Sequence, residues 1–128
     1  MNSDIPERSI AVLPFLNLST NQEDEYFSDG ITEEIINALS LIDGLKVIAR
    51  TSVFSLKGKD LDAREIGNKL GVNLLLEGSL RKAANKVRIS VQLVTAENGF
   101  RIWTEKYDRE LDDIFAIQDE IANCVLER

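Results

Sequence analysis

The sequence contains no histidine, a single cysteine and no long apolar run. Without histidine there is no Ser-His-Asp or Cys-His catalysis. There is also no imidazole zinc ligand and no ordinary general base near neutral pH. Cys124 alone cannot form an internal disulfide, and it does not choose between a reducing and an oxidising compartment. No stretch approaches the roughly 18 apolar residues of a membrane span, so direct membrane insertion is not expected. The amino terminus lacks the basic-then-apolar order of a signal peptide. The side of the membrane stays open, because a spanning segment further upstream would place the domain outside the cytoplasm. Basic residues are also in deficit: 15 Lys and Arg stand against 22 Asp and Glu, for a net charge of −7. That field opposes a polyanion, so nucleic acid is not an expected partner.

What is present suits one domain. The chain has 128 residues, 44% of them hydrophobic, enough to bury about two-thirds of the unfolded surface. Residues 1–8 are polar, include Pro6 and read as a leader or linker. Residues 9–128 read as a single domain.

Residues 9–15, SIAVLPF, form a short apolar run of the kind that makes a buried strand. Pro14 has no N–H to pair and marks the strand's end. Phe27, Ile31, Ile35, Leu39 and Ile42 recur at helical spacing, predicting a helix over about residues 24–42. Asn21 or Thr20 would cap it; alternatively it begins at Ser28, with Ser28-Asp29 as the cap. Gly30 costs such a helix about 1 kcal/mol against alanine unless a neighbouring backbone packs close there.

Residues 45–49 read as a second strand, 50–58 as a short helical turn and loop, and 62–70 as a second helix capped by Asp62 and stopped by Gly71. The period then switches to two. Val72, Leu74, Leu76 and Leu80 share one strand face; Val87, Ile89, Val91 and Leu93 share the next. Asn98-Gly99 signals a hairpin into a fifth strand over 102–107, with Trp103, Glu105 and Tyr107 on one face. Asp112 or Asp113 starts a last helix whose apolar face holds Ile114, Ile117, Ile121 and Cys124 or Val125. The order is β-α-β-α-β-β-β-α. It predicts an α/β fold: a mixed five-stranded sheet in the order 2-1-3-4-5, with helices on its faces. The helical pattern still runs at Arg128, so a domain excised from a longer protein is expected.

The acidic stretch EDEYFSDGITEE at 23–34 fails as a calcium loop. With Gly30 in the glycine position, Phe27 and Ile36 fall where oxygen ligands must stand. Glu33 and Glu34 point away from the apolar stripe, so no catalytic residue and no metal site are assigned there. REIGNKLGV at 64–72 begins like a helix-turn-helix, but a strand pattern follows it. Arg81, Lys82, Lys86 and Arg88 cluster at a hairpin, where charges usually face water.

Six segments occur in a particular order: SIAVLPF, EYFSDGITEEII, ARTSVFSLKGK, REIGNKLGVNLLLEGSLRK, VRISVQLVTAENGFRIWTEKYDREL and DIFAIQDEIA. Together the chain resembles the TolB amino-terminal-like domain of bacterial multidomain signalling proteins. The resemblance implies an anticodon-binding-like α/β fold and carries no catalytic residues or cofactors. It also implies a place between an output module, often an adenylate/guanylate cyclase or a winged-helix domain, and tetratricopeptide repeats.

The expectation is a non-catalytic sensor or interaction domain. Its partner would be another protein, a tetratricopeptide-repeat neighbour or a second copy of itself. Trp103 and Tyr107 on the last strand are the interface candidates. The alternative is a small-ligand sensor with an anion site beyond the parallel strand ends, drawn from Asn17, Arg50, Thr51 and Ser52.

Overall fold

The computed structural model describes residues 8–19, 21–114 and 116–127. Nearly all of the expected leader, and the candidate cap Thr20, lie outside them. The first strand, β1 (Ser9–Val12), is buried at every residue, because helices cover both faces of the sheet there. Pro14 interrupts it. The chain then rejoins the sheet as β2 (Leu16–Asn17), which pairs in parallel with a later strand. This adds a sixth strand to the five expected. The apolar run at 9–15 gives no warning of it, since two residues are too few to show a period.

Helix α1 (Asp24–Ser40) follows, then β3 (Lys46–Val47), the short α2 (Arg50–Phe54) and α3 (Ala63–Leu70). Three ten-residue strands come next: β4 (Leu74–Ala83), β5 (Lys86–Thr95) and β6 (Arg101–Glu110). A 3-10 turn over Leu111–Asp113 leads into α4 (Ala116–Leu126). The sheet runs β3-β1-β4-β5-β6, with β2 beside β4. This is the expected 2-1-3-4-5 order of the five principal strands. β3, β1 and β4 are parallel, and β4, β5 and β6 are antiparallel. Right-handed crossovers place α1 on one face and α2 and α3 on the other. α4 packs beside α1.

The core under α1 and α4 is built from Leu76, Leu80, Ile89, Leu93, Ile35, Leu39, Ile117 and Ile121, each almost fully buried. Phe15 lies on Gly78: a Cβ there would sit 2.5 Å from its ring. The glycine therefore makes room for the aromatic ring that fills the gap between β1 and β2.

Two local readings are corrected. Helix α1 begins at Asp24, so Ser28 is interior and caps nothing. Asn21 instead accepts from the Glu23 N–H at 2.9 Å, in a turn just ahead of the helix. Gly30 is exposed, and no atom comes within 4 Å of a Cβ built on it, so no close backbone approach explains it. The Asp62 cap is as expected. Its side chain accepts from the Glu65 N–H at 2.9 Å, and Glu65 returns the bond to the Asp62 N–H at 3.1 Å.

Candidate functional site

The acidic stretch turns out to be a structural clasp. Ser28 and Thr32, four residues apart, point from α1 into the core and are fully buried. Ser28 Oγ donates to the Phe15 carbonyl at 2.8 Å, and the Phe15 N–H donates to Thr32 Oγ1 at 3.0 Å. The two hydroxyls thus satisfy the backbone where the strand breaks between β1 and β2. On the outer side, Lys57 bridges Glu25 and Asp29, each at 2.8 Å. Partial burial opposes the Lys57 charge, but these two acids outweigh it and raise its pKa. Asp24, nearly buried, lies 3.7 Å from Lys82 of β4.

On the face that carries α2 and α3, the middle of β4 and β5 is only partly covered by the 13–16 and 56–61 segments. A cavity of about 490 Å³ opens there. Leu13, Leu16, Leu56, Leu61 and Ile66 line its apolar side. Glu77, Ser79, Ser90, Gln92 and Thr104 supply polar groups from the sheet, and Lys57 and Lys59 add cations. Gln92 donates to Glu77 at 2.6 Å, and Thr104 donates to the Val91 carbonyl at 3.1 Å. Its floor is therefore the middle of the antiparallel strands β4, β5 and β6.

None of Asn17, Arg50, Thr51 and Ser52 lines this cavity. Asn17 bonds locally, to the Asn21 carbonyl and the Ser19 N–H. Arg50 pairs with Glu33 at 3.2 Å and stacks on the Phe54 ring. Thr51 and Ser52 are exposed on α2. The cavity thus lies over the sheet face, away from the expected anion crevice at the ends of β1 and β3. The apolar lining comes mainly from the 13–16 and 56–61 segments, joined by Ile66 of α3.

Two of the four cations of the hairpin cluster are paired. Arg88 pairs with Asp108 at 2.7 Å across β5 and β6, and Lys82 is taken by Asp24. The Arg88 bond holds the Asp108 pKa below its usual value.

The interface candidates on β6 part company. Tyr107 is buried beneath α4. Burial raises its pKa well above the usual phenol value; a hydrogen bond to Cys124 and nearby Glu105 and Glu120 add to the shift. Trp103 is half-buried opposite Leu93. The rest of β6 is largely exposed and charged, and its outer edge pairs with no strand among the described residues.

Residues 6–124 match the family described as HilA/YgeH-like transcriptional regulator, second domain. The chain belongs to this family. It is also 52% identical over 118 residues to Putative adenylate cyclase 3 of Rhizobium meliloti (strain 1021); the match covers 92% of this chain and 20% of that protein. The chain therefore spans a fifth of that relative's length. Among solved structures, lipoprotein GNA1162 from Neisseria meningitidis superposes with a TM-score of 0.68 at 19% identity, covering 91% of this chain and 97% of that one. TolB from Acinetobacter baumannii gives 0.65 at 12% identity, covering 98% of this chain and 29% of that one. These structural likenesses establish the fold. No helix among the described residues is long and apolar enough to cross a membrane.

Proposed function

We infer that this regulator-family domain is a non-catalytic sensor and interaction module of a bacterial signalling protein. It acts through protein contacts and resembles the TolB amino-terminal-like domain. One observation carries the reading: the same domain matches the second domain of transcriptional regulators and a fifth of a protein named as an adenylate cyclase. A module shared by different outputs is expected to regulate them rather than to perform either one's chemistry. A tetratricopeptide-repeat neighbour or a second copy is the expected partner. The test removes residues 9–128 from the intact signalling protein. The output should keep its basal activity and lose its regulation; full regulation without the domain overturns the reading.

A second reading, a small-ligand sensor, is favoured by the cavity over the middle of β4 and β5. Its apolar side would hold the body of an anionic metabolite, with Lys59 as the cation. Specific ligands raise the melting temperature by mass action. A screen of such metabolites should therefore find a stabiliser whose effect falls in Lys59→Ala. No stabiliser across the screen overturns this reading.

A further inference from the structure

The outer edge of β6 has a chemical order that fits one occupant. Ala83 and Lys86 flank a two-residue turn, where the closing pair of such a hairpin is hydrogen-bonded. Even-numbered residues of β5 therefore bond to β4, and odd-numbered ones bond to β6. The Leu111 N–H continues this series by donating to the Asn85 carbonyl at 2.6 Å. Tyr107 and Glu105 accordingly bond inward, to Ile89 and Val91. Thr104, Lys106, Asp108 and Glu110 turn their backbone groups outward.

Two of those outward groups are held by side chains of the same strand. The Lys106 N–H donates to its neighbour Glu105 at 3.0 Å, and the Asp108 carbonyl accepts from Arg109 at 3.1 Å. Both are exposed bonds between chain neighbours on β6.

The geometry points to a second copy of this chain as that strand, paired antiparallel through β6 about a two-fold axis at Tyr107. The inference deepens the interaction reading above and rests on it. A two-fold axis perpendicular to the sheet pairs residues of equal parity. Centred on Tyr107, it sets Lys106 opposite the second copy's Asp108, in a hydrogen-bonded pair about 5.5 Å apart at Cα. It sets Glu105 opposite the second copy's Arg109, and Trp103 opposite its Leu111. Each charge in the centre meets its opposite, twice over, on top of the pairs that Asp108 holds with Arg88 and Arg109 holds with Glu120 within each copy.

Neighbouring registers do not. Centring on Lys106 or Asp108 places that charge against itself. Centring on Glu105 opposes the two Glu105 carboxylates and sets Arg101 against Arg109. Like charges directly opposite destabilise a pair, and opposite charges support it. The outward Lys106 N–H and Asp108 C=O, now held by Glu105 and Arg109, are the groups that would exchange bonds across the axis.

The experiment is sedimentation equilibrium of the 128-residue chain from micromolar to millimolar concentration. A reversible dimer is expected. Lys106→Asp should weaken it at least tenfold, whereas Lys106→Arg, which keeps the charge, should leave it intact. Circular dichroism of each variant checks that it is folded. Register is read by oxidation in a Cys124→Ser background: Glu105→Cys with Arg109→Cys should cross-link, whereas Glu105→Cys alone should not. A monomer at every concentration, a dimer indifferent to Lys106→Asp, or cross-linking by Glu105→Cys alone overturns the proposal. A monomeric chain whose deletion still abolishes regulation overturns only the self-pairing and leaves the interaction reading standing.

Discussion

At the scale of single residues, the most consequential side chains are polar ones in apolar positions. Among the described residues, Thr32 Oγ1 is the acceptor of the buried Phe15 N–H. Thr32→Val keeps the shape and removes that acceptor. An orphaned buried donor costs about 1–3 kcal/mol, so urea denaturation should show a loss of that size. Neither Ser28 nor Thr32 was legible as a clasp. In sequence, a serine and a threonine near a helix start look like caps, and only the neighbouring strand break gives them something to hold. Tyr107 gives a pH signature. Its folded pKa lies above its unfolded value of about 10, so the neutral phenol is favoured in the native state. Its contribution is fully present below that unfolded pKa. It is lost as pH rises above about 10, at up to about 1.4 kcal/mol per pH unit. Stability measured from pH 9 to 11 should fall less steeply in Tyr107→Phe than in the parent.

At the scale of elements, the regular pieces were legible and the irregular ones were not. The period-two runs identified β4 and β5, and the periodic stripes identified α1 and α4. In each case one apolar face meets the core. The αL glycine at Gly71 and the Asp62 capping box bounded α3, because both signals are local chemistry. Asp62→Ala should therefore cost about 1 kcal/mol, read as a lower denaturation midpoint with an unchanged slope. β2 is not legible in the sequence because its pairing is decided by β4, more than sixty residues away, and not by its own two residues. The cavity over β4 and β5 was not legible, because its lining is gathered from two loops, α3 and three strands that only the fold brings together.

At the scale of the whole molecule, a charge of −7 sets the long-range field. The four basic residues of the first hairpin are interleaved with Asp24, Asp108 and Glu110. Fluorescence anisotropy with duplex DNA at physiological salt should therefore show no saturable binding at micromolar protein; a salt-sensitive isotherm would contradict this. The two margins of the sheet are unequal. One ends in β6, ten residues long; the other ends in β3, only two residues long. A fibre needs a usable template at both ends, and β3 offers only a stub. Any growth through strand addition therefore has one direction, and two copies joined along β6 would have consumed it. Such a molecule can count to two and no further, a useful property for a part that must report whether a neighbour is present.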